Sequence, residues 1–181
     1  MNQIENNTLI HIGNILNTKG IKGEIVFNVL IKNIFIPTDS KIKIGYSKHF
    51  CKEYTIRQDI NTNSIYSSLL LKEIDNKEKA IELKEQGLFI ERNTILKYNP
   101  SIVLPDEIIG SKIINNDTDE FIGIVKEYWH LPANDVLLVD TNDGEIPIPY
   151  IDDVIKDINI KNRIIKIFLL DGLMELKTKK K

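Results

Sequence analysis

The 181-residue chain reads as an all-β protein with one minor helix, folded as two small β-barrels. Three observations predict this. Short apolar runs alternating with a period of two, such as Ile25, Phe27 and Val29, recur between turn signals rich in Gly, Asn, Asp and Pro. The break Tyr98-Asn99-Pro100-Ser101, followed by Pro105, interrupts the pattern near mid-chain. Charge also changes sign there: residues 1–98 carry 14 Lys+Arg against 11 Asp+Glu, whereas residues 99–176 carry 6 against 15, a net −9. The expected organisation is a first domain over 1–98, a linker over 99–106, a second domain over 107–176 and a basic tail over 177–181.

In chain order, 9–15 is the first strand, followed by a turn over 17–20 and another glycine at Gly23. The spacing Gly20-Ile21-Lys22-Gly23 lets the backbone turn sharply with positive φ. It also makes Lys19, Gly20, Lys22 and Gly23 candidates to face an RNA phosphate, beside the plainer reading as a tight turn. Alternation over 24–30, in Lys41-Ile42-Lys43-Ile44 and in parts of 51–57 and 64–72 predicts further strands, with turns at Gly45-Tyr46-Ser47 and 59–63. One helix interrupts them. Asp75 with Glu78 three residues on is a capping-box-like start, Ala80, Ile81 and Leu83 form an apolar face, and Gly87 is a stop. The charges of Lys77, Glu78, Lys79, Glu82, Lys84 and Glu85 read as its solvated face. Leu88-Phe89-Ile90 returns to strand.

Beyond the break, 108–114 reads as a strand ending at Asn115-Asn116-Asp117, and 121–127 as the next. The stretch Trp129-His130-Leu131-Pro132-Ala133-Asn134-Asp135 then joins a tight turn to the apolar run 136–139, a hairpin at the centre of a barrel. Pro132 presets φ, and Asn134 and Asp135 can close the turn through side-chain to backbone hydrogen bonds. Asn142-Asp143-Gly144 is the clearest hairpin signal. Pro147 and Pro149 cannot donate to a ladder, which places their strand at an edge or its end. The last long strand is 163–169, after which Asp171-Gly172 turns the chain.

Several functions are disfavoured. No apolar run approaches the roughly 20 residues that span a bilayer, and residues 1–7 lack a basic start and apolar core, so a cytoplasmic protein is expected. Cys51 is the sole cysteine, and His11, His49 and His130 are far apart in sequence, so neither an internal disulfide nor a metal site is expected. No nucleophile stands with a base. Asp117, Asp119, Glu120, Asp152 and Asp153 read as solvated turn acids, so no catalytic residue and no cofactor is assigned. What remains is a binding module. Its acidic second half would repel bare nucleic acid and favour a basic protein, with Tyr128 and Trp129 as aromatic anchors beside the turn.

Several blocks resemble the RimM family of ribosome maturation factors. Trp129 to Asp140 contains Asn134-Asp135-Val136, similar to that family's Gly-Ala-Asn-Asp-Val signature, with Pro132 where glycine is usual. Ile12-Gly13 through Gly20-Ile21-Lys22-Gly23-Glu24 is similar to the opening RimM pattern, with Lys19 where histidine is usual. Ala80, Leu88-Phe89-Ile90-Glu91-Arg92, Glu107-Ile108-Ile109-Gly110, Ile148-Pro149-Tyr150-Ile151 and Asp171-Gly172-Leu173 follow in the family's order. The resemblance implies an N-terminal translation-factor-like six-stranded barrel and a C-terminal PRC barrel. It also implies a non-enzymatic, monomeric assembly factor that binds the immature small (30S) ribosomal subunit through its basic head protein, small-subunit protein number nineteen, and supports 16S rRNA processing. The tyrosine pair that contributes to ribosome binding in the family aligns on Val103-Leu104. The partner-binding candidates are therefore Val103, Leu104, Tyr128, Trp129, Asn134 and Asp135. The alternative is a translation-factor-like RNA binder acting mainly through the first barrel.

Overall fold

The alternating stretches become strands in a computed structural model that describes residues 8–131 and 133–169. Pro132, the Asp171-Gly172 turn and the basic tail lie outside the described residues. The chain divides into two compact units, Met1–Ile102 and Val103–Lys181.

In the first unit, β1 (Leu9–Lys19), β2 (Glu24–Val29), β4 (Lys41–Gly45), β5 (Cys51–Thr55), β7 (Tyr66–Leu69) and β8 (Gly87–Glu91) form a six-stranded sheet ordered β5-β4-β8-β1-β2-β7. Its two edges meet. Ile56 bridges Leu71, Arg57 N donates to Leu70 O at 2.7 Å, and Lys72 N donates to Thr55 O at 2.9 Å. This contact curls the sheet into a barrel-like form, and the inward residues of the alternation, Ile25, Phe27, Ile42 and Ile44, become core. Gly13 lets β1 approach β2, because a Cβ there would stand 2.3 Å from Asn28 O.

Two short strands, β3 (Phe35–Ile36) and β6 (Ile60–Asn61), pair outside this sheet. β6 falls inside the expected 59–63 turn. It is held by buried Thr62, whose hydroxyl donates to Ile31 O at 2.7 Å and accepts from Ile34 N at 3.0 Å.

The expected helix is α1 (Lys77–Ile81), with three differences. Its N-cap is Asn76, whose side chain accepts from Lys79 N at 2.9 Å, while Asp75 pairs with the Lys79 ammonium. A helix this short buries one narrow strip, so Ala80 is enclosed, Leu83 follows in the turn, and Ile81 is 49% exposed. Gly87 does not stop it. Glu85 takes the left-handed turn (φ 67°), and Gly87 opens β8 where a Cβ would meet the Phe89 ring at 2.8 Å. A second helix, α2 (Arg92–Tyr98), follows β8. Asn99 clamps β3 to it, accepting from Phe35 N at 2.8 Å and donating to Phe35 O at 2.9 Å.

In the second unit, α3 (Pro105–Ile108) precedes β9 (Lys112–Asn115), so the strand expected over 108–114 begins late. The Glu107 carboxylate accepts from Leu104 N at 2.9 Å and Glu107 N donates back to Leu104 O, which holds this single turn, and Gly110 exits it at φ 82°. The remaining strands are β10 (Phe121–Trp129), β11 (Val136–Thr141), β12 (Gly144–Pro149), β13 (Ile155–Asn159) and β14 (Ile164–Ile167), ordered β12-β11-β10-β9-β14-β13. β12 is an edge strand, as its two prolines require, and β11 and β12 meet through Thr141 opposite Gly144. β14 pairs parallel with β9. Ile113, Val125, Leu137, Val139, Ile146, Ile148, Ile165 and Ile167 make up the core.

Gly23→Ala should cost more stability than Gly20→Ala, by about 1–3 kcal/mol. Both have positive φ, but a Cβ at Gly23 would stand 2.5 Å from Asn76 O whereas Gly20 faces open space. Denaturant titration reads the difference, and equal losses would contradict the packing. Mild digestion with a broad-specificity protease should cut within 100–103 and leave two resistant fragments; a chain that stays whole there would contradict two separately folding domains.

Candidate partner-binding site

The hairpin β10–β11 pairs Trp129 with Val136, Tyr128 with Leu137 and Val125 with Val139. Successive strand residues face opposite sides, so this register decides which aromatic is presented. Tyr128 shares the core side with Leu137 and Val139 and is partly buried against them. Trp129 is turned the other way, 38% exposed, and its Nε1 donates to Glu127 Oε2 at 2.7 Å. Leu131 beyond it is 47% exposed.

Asp135 gathers the base of the loop. Its Oδ2 accepts from the Tyr128 hydroxyl at 2.8 Å, its Oδ1 lies 3.4 Å from His130 Nδ1, and its carbonyl accepts from Tyr150 N at 2.8 Å. The Tyr128 ring meets Tyr150 edge-on at 5.4 Å and His130 at 5.0 Å. The Asp135 carboxylate thus reaches back across the loop to Tyr128 and His130 at its start. Asn134 is exposed at the tip side. Burial, then the hydrogen bond and negative charge of Asp135, push the Tyr128 hydroxyl far above its ordinary value of 10.0, so it stays a donor. Burial and the charges of Asp135 and Asp152 raise Tyr150 as well.

Of the candidate pair Val103 and Leu104, Leu104 presents no surface and Val103 is partly exposed. Leu104 is fully buried, with its N–H and carbonyl both engaged by Glu107, and Val103 packs on the second unit's core. Leu104 is a core residue because α3 folds the chain inward at Pro105. Sequence reasoning missed His130, Leu131 and Tyr150 as members of the cluster. Tyr150 stood in a quoted motif, but its pairing with Asp135 depends on the β11–β12 register.

The other candidate set belongs to the first unit. Lys19, Gly20 and Lys22 are exposed on the β1–β2 turn, and Gly23 is buried against Asn76 at its base. Among the described residues no cluster of three or more His, Cys, Asp or Glu is placed to hold a metal ion, and no helix is long and apolar enough to cross a membrane.

Comparison with known proteins identifies the lineage. Residues 105–173 match the model of the RimM PRC barrel domain. The ribosome maturation factor RimM of Staphylococcus epidermidis is 32% identical over 172 residues, covering 92% of this chain and 99% of its own length. The chain belongs to the RimM family. The Bacillus velezensis RimM is 30% identical and covers 93% of this chain and 98% of its own. A solved structure of a Pseudomonas aeruginosa 16S ribosomal RNA processing protein RimM is 16% identical, with a TM-score of 0.37, covering 90% of this chain and 98% of its own. The RimM PRC barrel match begins at the first residue of α3, so the whole β10–β11 hairpin lies inside it.

Replacing Tyr128 with Phe should lower stability by about 1 kcal/mol at neutral pH, because Asp135 retains other partners. The parent should also lose stability as pH rises above 10.0, where an unfolded tyrosine ionises and the enclosed one does not. The phenylalanine variant should lose less there, Tyr150 supplying the remainder. Parallel denaturant titrations from neutral pH upward check both; identical alkaline slopes would remove Tyr128 from the account.

Proposed function

We propose that this RimM chain is a non-enzymatic ribosome maturation factor that binds the immature small (30S) subunit and supports 16S rRNA processing. The observation that carries this reading is the match over nearly the full length of relatives named ribosome maturation factor RimM. We propose further that the second domain makes the decisive contact, to the basic head protein number nineteen. The net −9 of residues 99–176 supplies attraction to a basic surface, and Trp129 with Leu131 supplies apolar area that charge alone does not. Asn134 and Asp135 belong to this site, Asp135 as the residue that positions the loop. Lys19 and Lys22 on the β1–β2 turn are proposed to face rRNA phosphate, with Gly20 and Gly23 shaping the turn. The protein acts as a cytoplasmic monomer in this reading.

Sedimentation of tagged protein in lysate tests the proposal: it should enrich on free small subunits and their precursors. Equal recovery on joined ribosomes would contradict a role confined to assembly. Trp129→Ala should weaken affinity for the purified head protein by roughly tenfold or more while leaving the fold intact, and affinity of the parent should fall with salt. Leu104→Ala is the contrasting variant, expected to lower stability by about 2–5 kcal/mol because its side chain is enclosed. A folded Trp129→Ala chain of undiminished affinity would count against the hairpin.

A further inference from the structure

The turn joining β4 to β5 presents two large aromatic side chains to solvent. Tyr46 is 77% exposed and Phe50 is 79% exposed. They are interleaved with Lys48, His49 and Lys52, all exposed, and residues 46–52 contain no carboxylate. The turn is built rather than loose. Phe50 N donates to Ser47 O at 3.1 Å, the Cys51 thiol donates to Lys48 O at 3.4 Å, and Gly45 pairs with Cys51 so closely that a Cβ would stand 1.9 Å from Phe50 O. A shallow groove runs between Tyr46, His49, Phe50, Lys52 and Gln86.

Strand direction adds a second observation. β4 and β1 are both antiparallel to β8, with Gly45 opposite Gly87 and Gly87 opposite Asn14, so both strands run toward the same end of the sheet. The β1–β2 turn therefore shares that end with the β4–β5 turn. It contributes Lys19, Lys22 and Ile21, which is 85% exposed. None of Lys19, Lys22, Lys48 and Lys52 has an ion pair among the described residues, unlike Lys41 with Glu53 or Lys43 with Glu91 on the strands below.

We infer that this end of the first barrel binds unpaired RNA, with Tyr46 and Phe50 stacking on exposed bases and the lysines meeting the backbone. Flat apolar faces beside uncompensated cations match a polyanion whose bases are free of a duplex, because stacking needs an open base face and the cations need phosphate. A duplex offers only its backbone to such a surface. An acidic protein that buries the rings would meet the same surface, and a parent that binds neither RNA form is the outcome that favours it. The inference depends on the proposed role in subunit maturation only for the source of the RNA.

The test is fluorescence anisotropy of full-length protein with labelled single-stranded decamers of uridine and adenosine, and with a labelled G·C-rich RNA duplex of the same length. The parent should bind single strands more tightly than the duplex. Tyr46→Ala and Phe50→Ala should each weaken single-strand binding by roughly tenfold without changing its salt slope. Lys48→Gln with Lys52→Gln should instead reduce the log–log salt slope by about 1.4. Both sets change exposed side chains, and melting curves verify that folding is kept. Equal binding of duplex and single strand, ring variants that bind like the parent, or a parent that binds neither would overturn the inference. Small-subunit sedimentation of the parent is read separately, so failure of the maturation role and failure of base stacking are distinguishable.

Discussion

The second domain's candidate surface depends on one carboxylate. Asp135 accepts from Tyr128 at 2.8 Å, faces His130 and, through its carbonyl, takes Tyr150 N, so it ties β10, β11 and the end of β12 together at one point. A loop held at its base keeps less freedom to lose when a partner binds, which is how preorganisation raises affinity. Fixing Tyr128 on the core side also fixes its neighbour on the outer side. Trp129 is exposed because Tyr128 is enclosed.

The first barrel solves a different problem with backbone instead of charge. Its edges join through Ile56 and Leu71, and β1 and β2 approach each other only because Gly13 lacks a Cβ. The β4–β5 turn at one end of that frame is held by Phe50 N on Ser47 O and the Cys51 thiol on Lys48 O, and it displays Tyr46 and Phe50 to solvent. Gly23 shows the link: the glycine that shapes a candidate RNA-facing turn is packed against the cap of α1, so fold and surface constrain the same residue.

Much of this was legible in the sequence. Alternation at Ile25 and Phe27, the paired prolines of β12 and the Asn142-Asp143-Gly144 turn each state a local rule that the chain obeys, and the blocks resembling RimM pointed to the family that full-length relatives confirm. The misses have two causes. α2 is tied to β3 by a contact distant in sequence, Asn99 with Phe35, which period counting cannot see. α3 and β13 are held locally, by Glu107 on Leu104 and by the hairpin with β14, in stretches too short and polar to show a period. The cap lies one residue beyond Asp75: Asn76 is extended and its side chain accepts from Lys79 N, while Asp75 pairs with the Lys79 ammonium. Tyr46 read only as a turn residue and Phe50 had no reading, because exposure is invisible until the hairpin is built.

Trp129 is the only tryptophan in the chain, so its emission reports on the central claim without a mutation. Full-length protein is titrated with purified head protein, with head protein alone as the blank, and both emission maximum and acrylamide quenching are followed. Burial of the indole in a contact predicts a blue shift and protection from quencher that saturate together with binding and weaken as salt is raised. Saturated binding with unchanged emission and unchanged quenching would contradict the claim that the β10–β11 hairpin is the docking element.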